Sequence, residues 1–411
     1  MTRKTKAFVL SVLVLLAVRS VLPADGEETA TNIKTSIKKI VVTNPIAVSR
    51  DNETVSLNWK EIEKTEPNLT KDNVAVYDFK TNRPLVTQIV EDGNKTELLF
   101  QTNLAPNEKK YFRIAKQPEE FNKPVSEITT YCRFVPERYD DFAWENDKVA
   151  FRMYGPALEW ETITCGIDAW AKCVPTPVVD KFYKEKDYHK NHGQGGDFYK
   201  VGNTLGCGGM APLADGKVVL PHNFTKWKVI ANGPIRSIFE LTYKPWPVGG
   251  TERISIALGD GTVGKSMLHT VGETKRISID LGSNLNRIEC LYNCPEAEHL
   301  TVAAGIILRE SSNQKFEDAA NNTIAYWLPA DGNYGMIGCG VIFGSDVKTK
   351  AIEMDGHLLL AVNCLCQTPI VYYSGACWDE NKEFGTFEKW QQYLINFKKR
   401  IDNPIQIQIQ D

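Results

Sequence analysis

Short β-type segments bounded by turn formers recur along most of this chain, and in Val55-Ser56-Leu57-Asn58-Trp59 apolar and polar residues alternate to give one apolar face. The first such segments fall at 40–42, 55–59, 74–78, 85–89, 98–100 and 111–114. Turn formers separate them: Asp51-Asn52, Asn82-Arg83-Pro84, Asp92-Gly93-Asn94 and Ala105-Pro106-Asn107. Short strands at this spacing predict a β-sandwich over residues 39–116. A proline-punctuated linker with one strand, 117–136, leads into longer strands at 149–154, 218–220, 227–230, 235–243, 252–258, 276–281, 301–308, 323–328, 335–343, 357–362 and 370–373. Helical periodicity appears near the end, where Phe387, Trp390, Leu394, Phe397 and Ile401 share one stripe. Thr386 is placed to cap that helix, Lys398, Lys399 and Arg400 suit its C-terminal dipole, and Pro404 lies beyond it. The pattern predicts an all-β chain: an N-terminal sandwich, then a large two-sheet unit over 137–411 with a C-terminal helix.

The first residues change the picture of where the chain works. Arg3, Lys4 and Lys6 precede a run from Phe8 to Val18 that is apolar apart from Ser11, and Ala24 offers a small residue before Asp25. This reads as a signal peptide over 1–24, followed by a flexible lead over 25–38, and predicts export to the periplasm or beyond. The apolar run is shorter than the roughly 20 residues a membrane-spanning helix needs, so stable membrane insertion is not expected. A net charge of -3 with no basic patch argues against nucleic acid. Ten cysteines in an exported chain allow disulfides, but several sit in apolar strands as small buried hydrophobes, among them Cys339, Cys364 and Cys366.

Titratable residues concentrate in one stretch, Tyr188 to Lys200. It holds His189, His192, Asp197, Tyr199 and Lys200, threaded with Gly193, Gly195 and Gly196, which argue against a helix or a strand interior. A polar, glycine-rich segment on a rigid scaffold is either a solvated loop or a site; imidazole, phenol and ammonium together favour proton-transfer chemistry. Arg138, Asp140, Asp141, Glu145 and Asn146 form a second charged cluster, readable as a clamp for an anionic substrate or as a structural ion-pair network.

Four runs carry a family resemblance: Asp140-Asp141-Phe142-Ala143-Trp144-Glu145-Asn146, the Tyr188 to Gly202 stretch, Asn232-Gly233-Pro234-Ile235-Arg236 and Tyr373-Ser374-Gly375-Ala376-Cys377-Trp378-Asp379. In that order the chain resembles an exported bacterial family of unknown function, similar in architecture to the galactose-mutarotase-like supersandwich proteins. That group includes sugar epimerases, polysaccharide lyases and glycosidase domains, and members resemble partners of pectin- and uronate-degrading systems. The resemblance covers about residues 130–411 and implies a carbohydrate substrate met on the concave face of a sheet. It also implies that the arginine in the position of Arg236 faces the sugar.

Three chemistries fit the residues. A uronide lyase needs a cation on the carboxylate, a base and a proton donor. His189 or His192 would be the base and Tyr199 the acid, with Arg138, Arg152, Lys200 or Arg236 as the clamp. A hydrolase would use two carboxylates from Asp141, Glu145, Asp168 and Asp197, and an epimerase a His and a Glu. A non-catalytic glycan binder is the rival class. Among tryptophans offered as sugar platforms (Trp144, Trp160, Trp170, Trp327, Trp378), Trp170 and Trp378 stand out because Asp168 and Asp379 adjoin them. No cofactor is expected. A divalent metal on His189, His192 and Asp197, or zinc on the Cys290–Cys294 spacing near His299, is the weaker alternative. Gly259 to Ser266 matches G-x-x-x-x-G-K-[ST], but a strand follows too soon for the helix a phosphate loop requires. That segment predicts a hairpin, not a nucleotide site.

Overall fold

The computed structural model describes residues 38–118, 122–160, 165–185, 187–249, 255–256, 263–264, 269–312 and 314–410. The expected signal peptide over 1–24, the expected lead up to residue 37 and most of the glycine-rich match at 259–266 lie outside these residues. Of that match, Val263–Gly264 pairs antiparallel with Ser255–Ile256.

Two small sheets form the first layer pair. One has the strand order Gln406–Gln410, Lys38–Thr43, Lys109–Lys116, Val74–Asp78; the other has Arg50–Asn58, Lys95–Leu104, Thr87–Asp92. Their inner faces supply one core that includes Ile40, Val42, Val55, Leu57, Phe100, Phe112 and Ile114. The expected strand over 55–59 stops one residue early. Asn58 caps a short helix, Trp59–Thr65, by accepting the Lys60 amide at 3.0 Å.

The larger part stacks an eight-stranded antiparallel sheet on a five-stranded one. The eight strands run in the order Phe224–Ala231, Arg236–Val248, His269–Asp280, Leu285–Asn293, Ile370–Trp378, Met336–Phe343, Thr323–Pro329, Gln314–Asp318. The five run Lys217–Val218, Cys207–Ala214, His299–Ile307, His357–Leu365, Lys350–Met354. Inward residues such as Phe239, Ile277, Ile288, Val302, Val341, Leu358 and Tyr372 make the main core. This is the large two-sheet all-β architecture expected from the many strands, and the supersandwich that the family resemblance implies.

The C-terminal helix, Phe387–Asp402, lies on the other face of the eight-stranded sheet, burying Trp390 and Leu394 against Ala325, Trp327 and Ile342. Gly340 permits that approach, because a Cβ there would lie 2.7 Å from a Leu394 methyl. Thr386 caps the helix through the Lys389 amide, as its position predicts. The chain does not end there. Strand Gln406–Gln410 pairs with Lys38–Thr43, with Ile409 opposite Ile40, so the tail of the expected 137–411 unit joins the first sheet.

A third sheet positions the candidate site. Its order is Gly195–Gly196, Asp168–Lys172, Ala150–Met153, Asp141–Glu145, Tyr131–Val135. Phe142, Trp144, Phe151, Met153 and Ala169 point into the main core. The alternate residues point the other way, beneath helix Val179–Lys184 and the 187–200 segment.

Candidate functional site

Register brings the charges together. Arg152 lies opposite Ala143 on one side and Asp168 on the other, so Arg152, Asp168 and Trp170 share the face turned away from the main core. The segment from Tyr188 closes over them, held by the Asp197 amide donating to the Tyr188 carbonyl at 2.9 Å. Gly195–Gly196 is itself a two-residue edge strand on Ala171 and Lys172, a marginal pairing and not the regular strand interior that these glycines argue against. Space calls for glycine there: at Gly195, with φ of 109°, a Cβ would lie 2.0 Å from the Ala171 carbonyl oxygen.

Arg152 is the hub. It is buried, and its Nε and Nη2 donate to Asp168 Oδ2 at 3.0 and 2.5 Å. Nη2 also reaches Asp197 Oδ2 at 2.7 Å and the Tyr154 hydroxyl at 2.8 Å, while Asp141 Oδ2 stands 3.8 Å from Nη1. The guanidinium lies over the rings of Tyr154 and Trp170, at 4.6 and 5.2 Å from their centroids. Tyr188 stacks on Trp170 at 5.6 Å and accepts a hydrogen bond from Arg138 Nε at 3.1 Å.

Three buried carboxyls therefore face one fully engaged guanidinium. Burial pushes Asp141 up to about 6 despite the nearby arginines. It also raises Asp168, which the charge of Asp197 raises further, and it raises Asp197. Asp141 Oδ1 and Asp168 Oδ1 have no hydrogen-bond partner among the described residues, which suits carboxyls whose hold on a proton burial has strengthened. Tyr154 is raised first by burial and then by Asp168, so its phenol stays protonated.

A cleft of about 350 Å³ opens beside this cluster, bordered by Tyr154, His189, Asp197, Lys200, Asp331 and Gly332 among others. The His189 ring is 63% exposed, with Nδ1 3.2 Å from the Asp197 carbonyl oxygen and 3.6 Å from its carboxylate. Lys200 is 79% exposed, with Nζ 3.9 Å from Asp331. The Asp331 amide donates to the Phe198 carbonyl at 2.9 Å, tying the far wall to the same segment.

Several expected site residues lie elsewhere. Tyr199 borders the cleft, but its hydroxyl turns into the core beside Cys339 and Cys207 and is no proton donor to a ligand. His192 is exposed and meets the Asp187 carbonyl at 3.1 Å, so His189, His192 and Asp197 do not form a ligand set. Glu145 is fully buried: it binds Lys172 at 2.7 Å and accepts the Val178 and Val179 amides at 2.9–3.0 Å, capping helix Val179–Lys184 in place of a side chain at Val178. Arg236 forms a two-pronged pair with Asp280, at 2.5 and 2.6 Å, and lines a different cavity with Arg287, Tyr373 and Arg400. Trp170 and Trp378 are buried, the latter donating to the Tyr334 carbonyl at 2.6 Å. Of the five tryptophans offered as sugar platforms, Trp160 is the one that stands open, at 76% exposure.

Tyr154 and Asp331 were missed. Tyr154 was within reach of the sequence, since it sits two residues from Arg152 and thus on the same strand face. Asp331 carried no such signal.

A family model described as a domain of unknown function, DUF4861, matches residues 42–407. The chain belongs to this family. A relative from Formosa agariphila, described as Uncharacterized protein P7, is 31% identical over 395 residues, covering 90% of this chain and 93% of its own. Two solved structures from Enterococcus faecalis share the fold of this DUF4861 chain at a TM-score of 0.51. One is a protein in glycosyl hydrolase family 38, at 10% identity over 91% of this chain and 47% of that one. The other is an alpha-mannosidase, at 9% identity over 91% and 46%. The chain spans just under half the length of these two proteins, and at such identity the likeness is one of fold.

Proposed function

We propose that this chain is an exported carbohydrate-active enzyme that cleaves a uronate-containing glycan by β-elimination in the cleft beside His189. The observation that carries the reading is the convergence there of an exposed imidazole, a phenol held in its protonated form and an ammonium group. His189 would take the proton next to the uronate carboxylate, whose charge Lys200 would neutralise. The electron pair forms the new carbon–carbon double bond as the adjacent carbon–oxygen bond breaks. Tyr154 would then protonate the departing oxygen. Arg152 already binds two carboxylates, so its role is to hold Tyr154 and Asp197 in place and not to clamp substrate.

A hydrolase is the second reading. It is favoured by Asp197, a carboxyl raised by burial, with Asp331 on the same cleft, and by the hydrolase names of the two proteins of like fold. Incubating the purified protein with uronate-rich oligosaccharides separates the readings. Rising ultraviolet absorbance from an unsaturated product supports elimination. New reducing ends without that absorbance would replace it with hydrolysis, and saturable binding without cleavage would reduce the chain to a glycan binder.

A further inference from the structure

A second cluster of ligand-type side chains lies at one end of the large sandwich. His269 begins strand His269–Asp280, whose neighbour is Leu285–Asn293 with Gly272 opposite Asn293. That antiparallel register carries His269 to the point where the chain leaves its neighbour through Cys294 and Glu296. One donor atom from each of His269, Cys294 and Glu296 lies within 4.8 Å of the others, and Cys294 Sγ is 3.8 Å from Glu296 Oε2. Neighbouring ligands of a tetrahedral zinc ion, with bonds of about 2.0–2.3 Å, stand roughly 3.3–3.8 Å apart. The cluster therefore needs only a small contraction to close on an ion.

Two further observations point the same way. His269 Nδ1 is a buried nitrogen with no hydrogen-bond partner among the described residues, which costs free energy unless something occupies it. Cys366 lies just past strand His357–Leu365, in the opposite sheet, with its thiol against that of Cys294. Its position is pinned by its own amide donating to Glu298 at 2.8 Å and by the Gln367 amide donating to Tyr292 at 2.7 Å. By contrast Cys290 is buried in the main core and His299 is exposed on its strand, so the Cys290–Cys294 spacing near His299 is not the ligand set.

We propose that His269, Cys294 and Glu296 bind one divalent ion of the zinc class, with Cys366 as the fourth donor. One imidazole, two sulfurs and a carboxylate suit zinc over magnesium or calcium, which prefer oxygen alone. The ion would clip the end of the eight-stranded sheet to the end of the five-stranded sheet. Glu296, exposed on the rim, is the ligand most open to exchange.

The test uses the full chain, stripped with a chelator, kept reduced and titrated with cobalt(II). The expected result is one equivalent bound with a thiolate-to-cobalt charge-transfer band, displaced by zinc. Cys294→Ser and Cys366→Ser should each lower its intensity, and the double substitution should abolish it. His269→Ala and Glu296→Gln should weaken cobalt affinity at least tenfold. Glu296→Gln and Cys366→Ser change side chains that are not fully buried. They decide the matter if Cys294→Ser does not fold. An absent band, a band unchanged in these variants, or mass-spectrometric detection of a Cys294–Cys366 disulfide in freshly isolated protein would overturn the site. None of these readouts depends on glycan turnover.

Discussion

Replacing Arg152 with Met keeps much of the side chain's bulk and removes the charge that offsets three buried carboxyls. Asp168 and Asp197 lose hydrogen bonds of 2.5–3.0 Å, and Asp141 loses a cation at 3.8 Å. Breaking a buried ion pair from one side costs about 3–5 kcal/mol. The network has an alternative to bearing that cost as charge, which is to take up a proton. Holding one more carboxyl protonated, against an ordinary value of 3.8, costs about 4 kcal/mol at pH 7 and about 2 kcal/mol at pH 5. The sign follows from linkage. A carboxyl whose folded pKa is raised binds a proton in the folded state that the unfolded chain has released, so stability falls as pH rises between the two values. In the parent protein Asp141, pushed up to about 6, already produces such a fall from about pH 4 to pH 6. In Arg152→Met the fall should continue to higher pH. Urea unfolding followed by fluorescence of the cluster around Trp170 measures it, comparing variant with parent at each pH. The expected loss is about 4 kcal/mol at pH 7 and half that at pH 5. An equal loss at both, or none, would refute the claim that losing Arg152 makes one further carboxyl take up a proton.

Other substitutions separate chemistry from architecture. His189→Ala, on an exposed ring, should change stability by less than about 0.5 kcal/mol in thermal unfolding while abolishing turnover; Tyr199→Phe should leave turnover intact. Glu145→Gln leaves the Lys172 ammonium buried without its carboxylate and weakens the cap on helix Val179–Lys184, so urea denaturation should record a loss of about 3–5 kcal/mol with no direct effect on the cleft. Leu394→Ala opens a cavity between the C-terminal helix and Gly340 and should cost about 2–5 kcal/mol, against about 1 kcal/mol for Thr386→Ala at the helix cap, both measurable by the same method.

Local pattern alone carried much of this protein. Short apolar β segments between turn formers determined the all-β class and most strands, and the stripe from Phe387 to Ile401 with its Thr386 cap determined the last helix. The density of titratable groups from Tyr188 to Lys200 marked the segment that borders the cleft. Tertiary structure decided which of those groups opens onto the cleft. His189 stays open while Tyr199, ten residues on, turns its hydroxyl into the core, and both readings are compatible with a glycine-rich loop. Arg152, Asp168 and Asp197 meet through strand register and loop closure, whereas Arg236 finds Asp280 on an adjacent strand and serves another cavity. His269 and Cys294 converge in the same way, from strand ends that periodicity cannot pair. The physical reason is common to all of them. Periodicity reports which face of an element is apolar, but burial, partner and proton affinity belong to the element that packs against it.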